Sequence, residues 1–426
     1  MEIKRDHYLQ KLIIRKHNGM IKVITGIRRC GKSYLLFKIF KNHLLENGVD
    51  QNHIIELNFD SFENQKYHDP NEAYPFLKSK IVDDKMYYML LDEIQLLDKF
   101  EAVLNSFLRL SNVDIYVTGS KAKFLSKDVI TEFRGRGDQV YVSPLSFSEF
   151  YSVYDGDQNS ALRDYMYYGG LPQITSMTTH EQKESFLKNI FLETYISDII
   201  NRNNIKNDVE LKELLNILSS SIGSLTNPNK LSATFKSVKQ VGITAPTIKN
   251  YLDYLIDSFL IDKAIRYDIK GKKYIDTPSK YYFTDLGLRN SRLNFRQIED
   301  SHLLENMIYN ELKTRGFSID VGIVTMNEKD KRGKLIRKQL EVDFVCNKAD
   351  VRYYIQSALT LVDKEKLNQE QRSLTNIGDS FRKIIITKDN IITHYNEDGV
   401  LMINLFDFTY CGDYNRQIQN LARMVP

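Results

Sequence analysis

The residues whose types and spacing invite chemistry lie near the amino end. Gly26, Ile27, Arg28, Arg29, Cys30, Gly31, Lys32 and Ser33, with Tyr34 behind them, fit the phosphate-loop pattern GxxxxGK[ST] without mismatch. Glycines there let backbone N–H groups curl around phosphate oxygens, and the helix that follows aims its positive end at the same point. Lys32 is placed to reach β- and γ-phosphates and Ser33 to ligate Mg²⁺. Tyr87 to Leu91 is an apolar run that ends in Asp92 and Glu93. Asp92 falls in the Mg²⁺ shell, and Glu93 is where it can orient and polarise an attacking water. The two motifs predict ATP and Mg²⁺ as ligands and ATP hydrolysis as the reaction. Ser120, at the end of Thr118-Gly119-Ser120, is a candidate γ-phosphate sensor; an ordinary strand-ending turn accounts for it equally well. Arg134 and Arg136 could reach a neighbour's γ-phosphate if protomers form a ring, with a surface salt bridge as the plainer alternative. Arg28 and Arg29 are expected to face solvent or a partner, and Cys30 to be a packed, inert thiol.

These groups need strands and helices to hold them. Residues 21–150 alternate between the two. Ile21–Thr25, His53–Phe59, Tyr87–Asp92, Val113–Thr118 and Gln139–Val142 read as strands, and Lys32–Leu45 as a helix stopped by Asn47-Gly48. That order predicts a parallel, doubly wound sheet. Ser146-Phe-Ser-Glu149 is a capping box that starts the next helix. Residues 151–206 read as a helical lid. Within 207–296, helices at Asp208–Ile222, Leu231–Val241 and from Thr244 to about Phe259 precede strands at Ile261–Asp268 and Lys280–Thr284, an order that suits a winged helix-turn-helix. From 297 to 426 the pattern is α/β again. A helix at Leu303–Thr314 precedes strands near Ser318–Thr325, Gln339–Cys346, Arg352–Ala358, Lys383–Thr387 and Val400–Asn404, with a surface helix over Gly412–Pro426. The predicted domains are 1–150, 151–206, 207–296 and 297–426.

Bulk composition narrows the class. The chain has 426 residues, 42% hydrophobic and 27% charged, which fits two or three globular domains. No apolar run is long enough for a transmembrane helix, and the charged start Met1 to Arg5 has no apolar region behind it; no membrane contact and a cytoplasmic location are expected. Cys30, Cys346 and Cys411 are far apart, giving no metal pair and suiting a reducing compartment.

The motifs resemble those of the bacterial and archaeal AAA+-superfamily ATP-binding proteins of the AAA-14 plus DUF4143 type. The resemblance is carried by GIRRCGKS at 26–33, LLDEIQ at 90–95, TGS at 118–120, GR at 135–136, PLSFSEF at 144–150 and GGLP at 169–172. SDIINR at 197–202, TDLGLRN at 284–290, LLENMIYNELKTRG at 303–316 and EVDF at 341–344 extend it over most of the chain. It implies an AAA+-like P-loop NTPase core, a winged helix and a C-terminal domain of the PD-(D/E)xK nuclease fold. In that fold a helix Glu, a strand Asp and the Glu of an ExK hold Mg²⁺. Glu305 and Asp343 match the first two. Gln356 and Ala358 replace the ExK pair, so the site has lost a metal ligand and its only cation, and the domain reads as a binding or structural relic.

The segment 263–296 carries Lys263, Arg266, Lys270, Lys272, Lys273, Lys280, Arg289, Arg292 and Arg296 against Asp268, Asp276 and Asp285, a balance of nine minus three, or +6. Lys270–Lys273 would be a wing tip at DNA phosphates, and Thr247, Lys249 and Asn250 lie early on the candidate recognition helix. A second basic run, 329–338, looks like a mobile hairpin. The leading expectation is therefore an ATPase motor or switch acting on DNA, as a homo-oligomer or with a protein partner. A nucleotide switch that binds a protein without DNA dependence is the alternative, and a Mg²⁺-dependent nuclease the remote third.

Overall fold

The structure, a computed structural model, describes residues 3–119, 133, 135–239, 242–329, 333–361 and 363–410. Ser120, Arg134, Val241, Lys331, Arg332, Cys411 and the expected tail helix over 412–426 lie outside them. Backbone contacts divide the chain into two units. One comprises Met1–Leu145, Leu171–Ser176 and Asp257–Phe259; the other comprises Ser146–Gly170, Met177–Ile256 and Leu260–Pro426.

The first unit is built on a parallel sheet of β1 (Ile21–Thr25), β2 (Ile54–Asn58), β3 (Tyr87–Asp92), β4 (Val113–Thr118) and β5 (Gly137–Tyr141), in the order β2-β3-β4-β1-β5. Every residue of β1, β3 and β4 is buried. That is why these strands read as unbroken apolar runs rather than as alternation. One face is filled by Ile21, Val23, Met89, Leu91, Ile115 and Val117, against Leu77, Leu104 and Phe107 from the intervening helices. Because all five strands run the same way, Thr25, Asp92 and Thr118 finish at one edge, and the loops that follow them converge there. The expected helix after the phosphate loop is present as Lys32–Tyr34, Leu35–Phe40 and Lys41–Glu46, its middle part wound with wider π turns. It stops where expected: Gly48 takes φ 83, and Val49 N–H reaches back to Leu44 O at 3.0 Å.

In the second unit the capping box forms as read, with Ser146 Oγ accepting from Glu149 N at 3.2 Å and Glu149 Oε2 from Ser146 N at 2.9 Å. Helices Asp208–Ser220, Pro228–Thr234 and Ala245–Asp257 precede β6 (Ile261–Asp268) and β7 (Lys273–Phe283). The remaining strands are β8 (Ser318–Lys329), β9 (Leu335–Lys348), β10 (Val351–Ala358), β11 (Arg382–Thr387), β12 (His394–Tyr395) and β13 (Leu401–Asn404). Helix Asp300–Thr314 appears as expected; helix Lys364–Thr375 and the short β12 were not foreseen.

The hairpin of β6 and β7 does not stand alone. It belongs to one eight-stranded sheet, β12-β13-β11-β10-β9-β8-β6-β7, because β6 pairs in parallel with β8 through Arg266↔Val321 and Asp268↔Ile323. The separation expected at 296/297 therefore crosses a continuous hydrogen-bonded sheet. β7 also begins at Lys273, earlier than expected, which shortens the connection between the two strands to 269–272.

The conspicuous TDLGLRN and GGLP segments turn out to interlock. Asp285 caps helix Leu286–Arg292 by accepting Leu288 N at 2.9 Å, and its other oxygen accepts Gly170 N at 2.7 Å. Asn290 Nδ2 donates to the carbonyls of Met166 and Tyr167, each at 2.9 Å, satisfying the end of helix Gln158–Tyr168. A Cβ on Gly287 would lie 2.0 Å from Tyr168 O. Burial pushes the Asp285 carboxyl up to about 6, against the lowering effect of its backbone donors. The folded state thus holds this proton more tightly than the unfolded chain, so its contribution to stability is full below pH 3.8 and lost as pH rises through about 6. Urea unfolding should show a fall in midpoint across that window that Asp285→Asn lacks. Gly287→Ala should lose at least about 1–3 kcal/mol from the backbone clash, with the urea m-value unchanged.

Candidate nucleotide-binding site

The loop after β1 owes its shape to its glycines. Gly26 takes φ 143, and a Cβ there would sit 2.1 Å from Val142 O, so a larger residue would push the loop off β5's extension. Gly31 takes φ 97 as the residue that opens the helix. Cys30 is buried with Sγ 3.3 Å from Val142 O, the packed thiol expected. Arg5, ahead of the first helix, braces the loop from outside. Its Nη1 donates to Cys30 O at 3.0 Å and its Nη2 to Ser143 O at 2.8 Å, while the guanidinium lies 4.5 Å over the Tyr8 ring. Pro172, of the GGLP segment, comes within 3.8 Å of the place a Gly31 Cβ would occupy. Neither Arg5 nor Pro172 was singled out as part of this loop from the sequence, since nothing in their local context marks it.

Inside the loop, Lys32 is buried and donates to Gly26 O and Ile27 O, each at 3.0 Å. Ser33 Oγ donates to Asp92 Oδ1 at 3.0 Å, and the Thr118 hydroxyl donates to the same oxygen. Thr118 Oγ1 in turn accepts Glu93 N at 3.1 Å. β4 lies between β1 and β3, so its final threonine reaches both motifs. Burial raises the Asp92 carboxyl above its usual range, and the two hydroxyl donors pull it back down. Glu93 adopts φ 51, a left-handed turn that starts the short Ile94–Leu96 helix, and Gln95 Nε2 donates to Glu93 Oε2.

The structure thus brings together Gly26, Ile27, Cys30, Gly31, Lys32, Ser33, Asp92 and Glu93. Arg29 is exposed and Arg28 half-buried, each with partners of its own; Tyr34 is 41% exposed on the helix. Arg136 is not part of its own chain's site. Its carbonyl accepts Ile21 N at 2.8 Å, at the start of β1 and so at the opposite edge of the sheet, and its Nη1 rests on Asn105 Oδ1 at 3.1 Å. The donor set suits a phosphorylated nucleotide with Mg²⁺: a hydroxyl and a carboxylate oxygen side by side, a buried ammonium and a glycine loop at a helix start. Among the described residues no group of three or more His, Cys, Asp and Glu is placed to hold a metal.

A second polar centre lies in the eight-stranded sheet. Glu305 accepts from Lys280 Nζ at 2.8 Å and from Tyr282 OH at 2.6 Å. Lys280 also lies 2.7 Å from Glu341 and 3.8 Å from Asp343, whose Oδ2 accepts from Ser357 N and Oγ at 2.9 and 2.7 Å. The Gln356 side-chain oxygen Oε1 accepts from Asp343 N at 3.3 Å. The expectation that this cluster has no cation is wrong: Lys280 arrives from β7, which sequence spacing assigned to a wing. Burial works to lower the Lys280 ammonium, but Glu305, Asp343 and Glu341 together raise it, so it stays charged. Burial lifts Glu305 to about 7, with Lys280 opposing.

The basic segment shrinks accordingly. Lys280 and Arg289 are buried, and Arg292 is half-buried with Nη2 on Lys212 O at 2.8 Å. Lys263, Lys270, Lys272, Lys273 and Arg296 remain exposed, as do Lys249, Asn250, Lys329, Lys334, Arg337 and Lys338. Among the described residues no helix is long and apolar enough to cross a membrane.

Fold and loop define a nucleotide-binding protein of the P-loop class, with a parallel α/β sheet. Residues 18–151 match the family described as AAA domain, and residues 159–299 match a domain of unknown function, DUF8612, where the resemblance pointed to DUF4143. An uncharacterized protein of Haemophilus influenzae is 35% identical over 415 residues, covering 95% of this chain and 98% of that protein. The chain belongs to the same family. An uncharacterized protein of Methanocaldococcus jannaschii is 29% identical, covering 95% of this chain and 88% of its own length. Among solved structures, the Aeropyrum pernix ORC1 protein in complex with DNA is 11% identical with a TM-score of 0.28, covering 69% of this chain and 93% of that one. A likeness of that depth says nothing of function.

Replacing Lys280 by Met should cost about 3–5 kcal/mol, since removing one partner leaves buried charge uncompensated. Without its opposing ammonium Glu305 rises beyond about 7, so the variant should go on losing stability above that pH, where wild type levels off. Thermal midpoints of the two proteins, compared from about pH 6 to 9, check this.

Proposed function

We propose that the chain binds ATP with Mg²⁺ in the loop Gly26–Ser33, hydrolyses it, and uses the cycle to act on DNA. The observation that carries the reading is the shared oxygen of Asp92, which gathers Ser33 from the loop and Thr118 from β4 beside Glu93. Ser33 and Asp92 would hold the Mg²⁺, which when bound neutralises charge on the phosphate oxygens. The backbone N–H groups from Gly26 to Ser33 cradle the phosphates, and Lys32 exchanges its two loop carbonyls for phosphate oxygens. Glu93 accepts the proton of the attacking water. Ser120 and Tyr34 complete the proposed contacts, and Arg136, with Arg134, would act only on the nucleotide of a neighbouring copy in a homo-oligomer. DNA contact is assigned to Lys270, Lys272 and Lys273 where β6 turns into β7, aided by Lys249 and Asn250 in a winged-helix arrangement and by 329–338.

A nucleotide switch with a protein partner is favoured by one specific finding, that Lys280 and Arg289 are buried and do not add to a basic surface. A nuclease in the PD-(D/E)xK-like C-terminal region is disfavoured by Gln356, by Ala358 and by the ammonium already lodged among the carboxylates. A cytoplasmic location is part of the same proposal.

ATP turnover measured with and without double- and single-stranded DNA tests the reading. Lys32→Ala should lose nucleotide binding, and Glu93→Gln should bind ATP but turn it over at least about a hundredfold more slowly. Replacing Lys270, Lys272 and Lys273 together by Ala should flatten the dependence of log affinity on log salt by about 2 to 3 units. Turnover indifferent to DNA would leave the protein-partner switch.

A further inference from the structure

Gln95 stands two residues beyond Glu93 and was read from the sequence only as part of a motif. The chain doubles back there: Glu93 takes φ 51, Leu96 N reaches Glu93 O at 3.0 Å and Leu97 N reaches Ile94 O at 3.0 Å. This turn returns the Gln95 side chain to the Glu93 carboxylate, where Nε2 donates to Oε2. An ionised carboxylate can only accept, so the amide nitrogen must be the end that faces it. The carboxamide orientation is thereby fixed, and its oxygen must face the other way. That oxygen is buried and has no hydrogen-bond partner among the described residues. An amide oxygen that stays unpaired costs about 1–3 kcal/mol.

Resting on Glu93 as the base, we propose that Gln95 is a further catalytic residue, whose Oε1 accepts a hydrogen bond from the attacking water while its Nε2 fixes the angle of the Glu93 carboxylate. A water has two hydrogens to give. One goes to Glu93, which takes it as a proton when the water oxygen bonds to the γ-phosphorus and the bond from that phosphorus to the bridging oxygen breaks, leaving ADP. The second points at Gln95 and stays on the oxygen, now part of inorganic phosphate. Gln95 gains and loses no proton. Two acceptors at the angle between the water's hydrogens leave its lone pair aimed at the phosphorus, a gain in orientation that one carboxylate alone does not give.

The test compares wild type, Glu93→Gln, Gln95→Ala and the near-isosteric Gln95→Glu in Mg²⁺-ATP hydrolysis from about pH 6 to 9.5, with nucleotide affinity and thermal midpoint measured alongside. Gln95→Ala should lower kcat by about tenfold to a hundredfold while KM for ATP changes less than about twofold. Gln95→Glu places a second carboxylate against the first, so the acid limb of its profile should move to higher pH by about one unit, with activity recovering as pH rises. A residue that merely packs the turn would move neither. Gln95→Ala with wild-type kcat, or Gln95→Glu with an unmoved acid limb, overturns the inference. If Gln95→Ala does not fold, the profile of Gln95→Glu decides. Glu93→Gln inactive beside normal Gln95 variants would sink the role of Gln95 alone. Glu93→Gln as fast as wild type, or a wild type without turnover, would remove the base itself and the inference with it.

Discussion

One carboxylate oxygen, Oδ1 of Asp92, accepts the hydroxyls of both Ser33 and Thr118. Through it the first turn of the loop helix, the end of β3 and the end of β4 are tied to one point. The tie is possible because the sheet is parallel, so that β1, β3 and β4 finish at one edge. Asp92 and Thr118 are buried, so their polar atoms must be satisfied locally, whereas Ser33 reaches the same oxygen from an exposed position on the helix. The precision of the loop follows from the same economy of space. Gly26 has no room for a side chain, Cys30 packs within the loop, and Arg5 and Pro172 close on it from outside.

The second unit rests on an equivalent device of opposite sign. There a single ammonium, Lys280, stands between Glu305 and Glu341, with Asp343 close behind. One cation on β7 serves carboxylates from helix Asp300–Thr314 and from β9, with β6 and β8 between the two strands in the sheet order. The sequence reading named Glu305 and Asp343 as the remnants of a site without a cation, and both approach Lys280. It was unsound about what balances them, because the balancing charge lies on a strand that sequence order places in a different domain.

That contrast marks what was legible. Motifs whose geometry is local, such as the Gly26–Ser33 loop, the Ser146 capping box and the Asn47-Gly48 stop, came through with their residues in place. The strands of the first sheet were legible because full burial leaves unbroken apolar runs, with ends misplaced by a residue or two where Gly137 and Phe59 carry no such signal. Arg5 and Lys280 were not read for what they do. Each matters through a partner reached by folding, Arg5 through Cys30 O and Ser143 O, Lys280 through Glu305 and Glu341. Asp285 was noticed as part of a motif, yet its purpose, to receive Gly170 across 115 positions of chain, has no trace in spacing. The shared sheet was missed for the same reason: β6 and β8 pair although β7 and two helices, Leu286–Arg292 and Asp300–Thr314, separate them in sequence.

The division of the chain carries a topological consequence. Between Leu145 and Ser146, Gly170 and Leu171, Ser176 and Met177, Ile256 and Asp257, and Phe259 and Leu260 the backbone passes from one unit to the other. The two are therefore sewn together by repeated strands of covalent chain rather than strung on a single linker. A protease cutting once between Leu145 and Ser146 would release most of the first unit, yet its segments Leu171–Ser176 and Asp257–Phe259 would stay on the fragment that carries the second. A single splice at the same place would exchange a first unit that lacks those two segments of its own.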